Sequence, residues 1–146
     1  TLPSGARRAG SLRPWAQTKS SIIGRFAVIQ NNVLLDKTLE FSVRIVRSYQ
    51  YLTREKHEEI MANQLLRSGT SIGANAHEAV YGTSKQDFIA KLHIALKEAS
   101  ETEYWLILLT RTEYLTTIQS ESLMSDCLEI KKILIATLNK TKKTEA

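Results

Sequence analysis

Apolar residues recur along most of this chain at alternating spacings of three and four, the pattern of amphipathic α-helices. The most regular stripe consists of Phe88, Leu92, Ala95, Ala99, Thr102, Leu106 and Leu109. Ser84 and Asp87 form a capping-box-like pair that places the start of this helix. The stripe of the preceding helix keeps the same rhythm and consists of Met61, Leu65, Ser68, Ile72, Ala76 and Ala79. Between the two stripes, Gly82 is predicted to end the earlier helix by adopting a positive φ.

The earlier of these two helices carries small residues where a plain bundle would carry leucine. Gly69 and Gly73 lie inside it at the Gly-x-x-x-Gly spacing. A glycine inside a helix costs roughly 1 kcal/mol relative to alanine, so retaining two of them indicates a use for the missing side chains. We expect either close packing against a neighbouring helix or a kink.

Two further helices are predicted, at residues 33–52 and at about residues 118–139. The stripe of the first consists of Leu35, Leu39, Val43, Val46 and Tyr49, widened by Phe41, Ile45 and Leu52. The stripe of the last consists of Leu123, Leu128, Ile130, Leu134, Ile135 and Leu138. No segment alternates with period two for long enough to form a strand, so we predict an all-α, up-down-up-down antiparallel four-helix bundle. Two helices are apolar on more than one side, and we expect the leftover apolar surface to form an oligomer interface.

The net charge of +5 divides the chain into two parts. Residues 1–30 carry five basic residues and no acid, whereas residues 31–146 carry 15 basic and 15 acidic residues. We therefore expect residues 1–30 to be a basic, disordered N-terminal extension, since they also hold both prolines and lack an apolar signal region. The extension lacks an initiator methionine, and we expect it to be an upstream read-through segment rather than a domain. Residues 31–146 are expected to form the bundle, with a basic C-terminal tail.

Charge is also uneven within the bundle. Residues 33–54 carry four basic and two acidic residues, a net charge of +2. Residues 55–130 carry six basic and twelve acidic residues, a net charge of −6. Residues 131–146 carry five basic residues and one acidic residue, a net charge of +4. The candidate nucleic-acid contacts are therefore cations of the first helix and of the tail: Lys37, Arg44, Arg47, Arg54, Lys140, Lys142 and Lys143. A solvated surface with a frayed tail is the alternative, and we weigh it slightly above an RNA-binding face.

No catalytic, cofactor-binding or metal-binding residue is expected. The single cysteine, Cys127, excludes an intrachain disulfide and a cysteine-cluster zinc site. A di-iron centre in a bundle needs Glu-x-x-His on two helices, and the chain has none. His77 and His93 could approach each other across the helical hairpin, but surface histidines are the better interpretation. No stretch is long and apolar enough to span a membrane, and we expect a cytoplasmic protein.

A polar stripe accompanies the apolar one on the two central helices. It comprises Gln64, Arg67, Ser71, Asn75 and Glu78 on the earlier helix, and Lys91, Glu98, Glu101 and Trp105 on the later one. If the turn centres near residues 82–83, residues whose numbers sum to about 165 face each other, because both helices rise equally per residue. That places Arg67 opposite Glu98 and Gln64 opposite Glu101. We favour a polar network that fixes helix register and assembly over a binding or catalytic groove.

Three segments carry a family resemblance: LEFSVRIVRSYQYL, QLLRSGTSIGANAHEA and SKQDFIAKLHIALKEASETEYWL. They closely resemble the bacterial four-helix bundle proteins encoded within 23S ribosomal RNA intervening sequences, over roughly residues 33–140. That family is related to the accessory variability determinant proteins of diversity-generating retroelements, which partner a reverse transcriptase and bind nucleic acid. The resemblance implies a homopentamer, no enzymatic activity, no catalytic residue and a role connected with RNA or DNA.

The neutral bundle departs from the strongly basic retroelement proteins, which favours the intervening-sequence branch. We therefore expect a non-enzymatic homo-oligomer that associates with ribosomal RNA. Three alternatives remain open: an accessory subunit of a retroelement reverse transcriptase, a metal-dependent bundle enzyme, and an assembly module without affinity for nucleic acid. Lys37, Arg44, Arg47 and Arg54 are the best RNA contacts, because fivefold symmetry would repeat such a patch as a ring.

Overall fold

The computed structural model describes residues 22–143, with side chains from Val33 onward. Four helices make up this part of the chain: α1 (Ile22–Arg54), α2 (Ile60–Val80), α3 (Lys85–Arg111) and α4 (Thr117–Lys143). No strand occurs within residues 22–143, so the all-α prediction is confirmed. Helix α1 begins earlier than the predicted stripe, whereas most of the expected N-terminal extension, residues 1–21, lies outside the described residues. No described helix combines the length and apolar character needed to cross a bilayer.

Each helix packs against two others. α2 contacts α1 and α3, and α4 likewise contacts α3 and α1. The ion pairs Arg67–Glu98 and Glu78–Lys91 show that α2 and α3 run antiparallel, because residue numbers rise along one helix as they fall along the other. Short turns at residues 55–59, 81–84 and 112–116 join successive helices. This packing forms a bundle and is consistent with the predicted up-down-up-down order.

The core lies where the stripes of α2 and α3 were predicted. All seven residues of the α3 stripe are fully buried. On α2 the stripe is also buried from Leu65 to Ala79, while Met61 is half-buried and its neighbour Ala62 faces the core. Small side chains on both helices let their backbones approach closely, which explains why α2 and α3 pack extensively.

The predicted stripes of α1 and α4 are partly wrong. The core-facing residues of α1 are Leu34, Thr38, Phe41, Ile45 and Leu52, whereas the predicted Leu39, Val43 and Val46 are 66%, 45% and 39% exposed. On α4, Leu128 and Ile135 are exposed and Cys127 is buried. Both helices carry apolar residues on two sides, and the position of the neighbouring helices decides which side is buried.

The α2 glycines mark a close approach to α1. A Cβ atom on Gly69 would lie 2.8 Å from two side-chain carbons of Ile45, and one on Gly73 would lie 3.3 Å from Thr38 and Ser42. Gly82, however, does not adopt a positive φ, so that prediction is wrong. It leaves room for the Asp87 carboxylate, which would lie 2.5 Å from a Cβ at this position.

The helix starts depend on side-chain caps, of which one was predicted. Ser84 Oγ accepts a hydrogen bond from the Asp87 amide at 3.0 Å, as expected for the start of α3. The start of α2 is capped by Glu58, whose carboxylate accepts the amides of Ile60, Met61 and Ala62 at 3.2, 3.2 and 2.9 Å. An anion at a helix N-terminus satisfies unpaired amides and opposes the positive end of the helix dipole.

Candidate functional site

The polar residues between α2 and α3 centre on Arg67. Its Nη1 lies 3.2 Å from Glu98 Oε2, and its Nη2 contacts the Glu101 carboxylate. Glu98 and Glu101 are separated by one helical turn, so one guanidinium contacts both carboxylates. The pair of Arg67 with Glu98 is the one expected from the antiparallel register. Glu101 also contacts Arg67, and the structure shows no hydrogen bond from Gln64, the partner that the register suggested, to its carboxylate.

The remaining residues of the stripe lie toward the turn between the two helices. Glu78 Oε2 is 2.9 Å from Lys91 Nζ, and this hydrogen bond raises the pKa of Lys91 above its ordinary value. Asn75 donates to the Ser71 carbonyl of its own helix at 2.8 Å, and Gln64 is half-buried. The stripe is therefore a series of separate contacts and not one continuous network.

A buried hydroxyl pair lies beneath these ion pairs. Ser68 Oγ and Thr102 Oγ1 are 3.0 Å apart, and neither residue is exposed to solvent. Thr102 also bonds the Glu98 carbonyl at 2.8 Å. The sequence pattern places both residues in the apolar stripes of α2 and α3. The Arg67 side chain is 47% exposed, so its ion pairs are solvent-screened, whereas the hydrogen bond between the buried hydroxyls joins α2 to α3 in a drier environment.

Two of the candidate nucleic-acid contacts on α1 are engaged by α4. Lys37 Nζ lies 2.7 Å from Glu129 Oε1, and this hydrogen bond raises the pKa of Lys37. Arg44 contacts the Asp126 carboxylate and donates from Nη2 to Ser122 Oγ at 2.7 Å. Acidic side chains of α4 thus compensate these two charges. The sequence separation across the α1–α4 contact is about half the chain, so local spacing does not reveal these pairs.

The other two α1 candidates, Arg47 and Arg54, are exposed and form no ion pair with any described residue. Arg44, Arg47, Tyr51 and Arg54 follow one another at spacings of three, four and three, so they share one side of α1. A groove of about 360 Å³ opens beside them, between α1 and the start of α4. We call it the arginine groove, and it is lined by Arg44, Arg47, Ser48, Tyr51, Leu115, Gln119 and Leu123.

The lysines at the C-terminal end of the chain belong to α4 and not to a frayed tail. α4 continues to Lys143, and Thr141 is buried between the exposed Lys140 and Lys142. At a rise of 1.5 Å per residue, Lys142 lies about 30 Å along α4 from Ser122, which contacts Arg44. The C-terminal lysines are therefore separate from Arg44, which lies near the start of α4, while Lys37 lies between them beside Glu129.

The thiol of Cys127 lies in the core of the bundle. Cys127 is fully buried and donates a hydrogen bond from Sγ to the Ala99 carbonyl at 3.4 Å. Burial raises the pKa of the thiol to about 12. Among the residues that the structure describes, no three His, Cys, Asp or Glu side chains come together in a group that could hold a metal ion.

The family resemblance can be tested against known proteins. Residues 30–136 match the family model described as 23S rRNA-intervening sequence protein. The chain belongs to this family. A protein of unknown function from the S23 ribosomal protein family of Bacteroides thetaiotaomicron has a similar crystal structure, with a TM-score of 0.75 and 57% identity. That similarity covers 75% of this chain and 98% of the other. No curated protein matches the chain.

The match to the 23S rRNA-intervening sequence protein family includes the residues of both candidate sites. The α2–α3 ion pairs and the arginine groove lie within residues 30–136, whereas Lys140, Lys142 and Lys143 lie beyond it. The intervening-sequence resemblance is thereby confirmed at family level. The relation to the retroelement proteins stays a prediction.

Proposed function

We propose that this member of the 23S rRNA-intervening sequence protein family is a non-enzymatic bundle that forms a homopentamer and associates with ribosomal RNA. The observation that carries the RNA association is the contrast among the cations of α1. Lys37 and Arg44 are neutralised by Glu129 and Asp126, whereas Arg47 and Arg54 project without an acidic partner among the described residues. Unpaired cations are the groups that attract phosphates and displace their counterions.

Self-assembly is supported by an exposed apolar stripe on the same helix. Leu39, Val43 and Val46 follow at spacings of four and three and point away from the bundle core. Exposed apolar patches of this kind mark interaction surfaces in soluble proteins. A homopentamer is the assembly that the family resemblance implies, and rotational symmetry would repeat Arg47 and Arg54 five times around one axis.

The RNA association is tested by measuring affinity for purified ribosomal RNA over a range of salt concentrations. We expect affinity to fall steeply as salt rises, with a log–log slope of about 0.7 to 0.9 for each phosphate neutralised. The double substitution Arg47→Ala/Arg54→Ala should reduce both affinity and slope. Lys97→Ala is the control, since Lys97 is an exposed cation on α3. Undetectable binding at low salt, or an affinity that does not change with salt concentration, would overturn the RNA association.

Self-assembly is tested by light scattering on the purified protein. We expect a mass of five chains, each 16.5 kDa. The double substitution Leu39→Lys/Val43→Lys should dissociate the assembly, because it places charges in the stripe. Ile60→Lys is the matched control, since Ile60 is 80% exposed on α2 outside the stripe. A wild-type protein that remains a single chain at its highest soluble concentration would contradict the proposal.

A further inference from the structure

The arginine groove combines three kinds of side chain that recognise nucleotides. It presents guanidinium groups from Arg44 and Arg47, an aromatic ring from Tyr51 and a carboxamide from Gln119. Leu115 and Leu123 supply an apolar floor where the α3–α4 turn and α4 meet α1. Its volume of about 360 Å³ falls at the lower end of the range of roughly 300–1,000 Å³ for small-ligand sites.

We propose that the arginine groove binds single-stranded RNA, with a base stacked on Tyr51 and the adjacent phosphate held by Arg47. This inference rests on the proposed association with RNA and assigns that association to one site. The inference specifies that the RNA is single-stranded. The net charge of α1 does not distinguish single-stranded from duplex RNA.

The two arginines contribute differently. Arg44 is held in place from α4 by hydrogen bonds to Ser122 Oγ, the Ser122 carbonyl and the Asp126 carboxylate. These bonds occupy both protons on Nη1 and one on Nη2, and a guanidinium has five N–H donors in all, so Nε–H and one Nη2–H remain for a ligand. Arg47 has no such partner among the described residues and supplies the uncompensated positive charge. A positioned donor beside an unpaired cation suits a phosphodiester.

Tyr51 provides a fixed stacking surface. Its side chain is half-buried and packs against the hydrophobic core, so the ring is held in place, while its remaining surface lines the groove. Ordering a flexible ring on binding would cost conformational entropy, and this ring is already ordered. Stacking on aromatic side chains is a general means of binding unpaired bases, because every base has a π-face.

The same chemistry disfavours duplex RNA as the ligand. In an A-form helix the base faces are stacked on one another and are not available to Tyr51. Phosphate attraction alone would favour the duplex, because its phosphates are more densely spaced along the axis than those of a single strand. The preference for single strands therefore separates stacking in the groove from general attraction to Arg47 and Arg54.

Fluorescence anisotropy with the full chain tests this inference. The probes are a short unstructured RNA carrying fluorescein and a labelled hairpin duplex of matched length. We expect the single strand to bind more tightly than the duplex. Tyr51→Leu should weaken single-strand binding on the order of tenfold with an unchanged salt slope, since it removes stacking and no charge. Tyr51→Phe should retain affinity, because it keeps the ring.

Arg47→Ala should weaken binding and lower the salt slope by about one, since it removes one phosphate contact. Arg111→Ala is the matched control, because Arg111 is an exposed arginine that lines a different groove, between α3 and α4. Photo-crosslinking of the wild-type chain to iodouridine-substituted RNA gives a readout that does not depend on the folding of any variant. We expect the crosslink at Tyr51.

The outcomes separate this inference from the proposed function. Absence of any salt-sensitive RNA binding by the wild-type chain would overturn both. Salt-sensitive binding that Arg47→Ala and Tyr51→Leu leave unchanged, equal affinity for the duplex, or crosslinks confined to residues outside the groove would overturn the groove assignment alone. In those cases the RNA association would rest on other cations.

Discussion

Ser68 of α2 and Thr102 of α3 place their hydroxyl oxygens 3.0 Å apart at fully buried positions. A buried hydroxyl that loses its partner carries a desolvation penalty of about 1–3 kcal/mol, whereas removing both hydroxyls is less costly. Thr102→Val leaves Ser68 Oγ with only the Leu65 carbonyl at 3.4 Å. We therefore expect Thr102→Val to destabilise the fold by about 1–2 kcal/mol, as measured by urea unfolding.

A double-mutant cycle completes this test. Ser68→Ala combined with Thr102→Val should destabilise the protein by less than the sum of the two single changes, with a coupling energy of about 0.5 kcal/mol or more. Strictly additive effects would show that the two hydroxyls do not act together. The buried pair would then have no special role in the register of α2 and α3.

The ion pairs of Arg67 lead to a second prediction. Arg67→Leu leaves Glu98 and Glu101 one turn apart without their shared cation. Exposed pairs contribute about 0.2–1 kcal/mol, and the arginine is nearly half exposed, so we expect a loss of about 1 kcal/mol or less that shrinks as salt rises. Thermal unfolding at low and high salt measures it, with Lys97→Leu as the control. An unchanged melting temperature and oligomer state would show that Arg67 does not organise the α2–α3 contact.

The sequence predicted burial correctly where the stripe of a helix is regular. The α3 stripe, from Phe88 to Leu109, is regular over its full length and is wholly buried. On α1 the sequence does not identify one buried side, because Ile45 on one side of the helix and Val43 on the other are both apolar. Helical periodicity alone does not show which of them meets α2 and α4.

The candidate site shows a similar limit. Spacing placed Arg47 and Arg54 on one side of α1, but it could not show that Asp126 neutralises Arg44 from a position 82 residues away. Glu58 is another case: an acid just before an apolar helical run is a known start signal, yet the turn places this one so that it caps three amides. Long-range charge pairing and turn geometry depend on the assembled fold.

The α2 glycines allow a paired prediction. Gly69→Ala gains roughly 1 kcal/mol of helix propensity but forces a methyl group to within 2.8 Å of the fully buried Ile45, and overpacking costs about 1–3 kcal/mol. We expect net destabilisation by chemical denaturation. Gly73→Ala meets its nearest atoms at 3.3 Å and serves as the matched comparison. It should be the milder change, and the reverse order would contradict the close approach of α2 to Ile45.

Cys127 predicts a specific dependence of stability on pH. Burial raises the pKa of its thiol from 9.0 to about 12, so the folded state holds the proton more tightly than the unfolded state. The free energy of unfolding should therefore be constant with respect to this group below pH 9.0 and decrease between 9.0 and about 12, by at most about 1.4 kcal/mol per pH unit. Urea unfolding across this range measures the slope, and Cys127→Ala is the control.

The Cys127→Ala variant should start from a lower stability, because a buried side chain becomes smaller, but its free energy of unfolding should decline less steeply with pH. Parallel slopes for the two proteins would show that the thiol is not the titrating group, and rapid alkylation of the native protein would contradict its burial against Ala99.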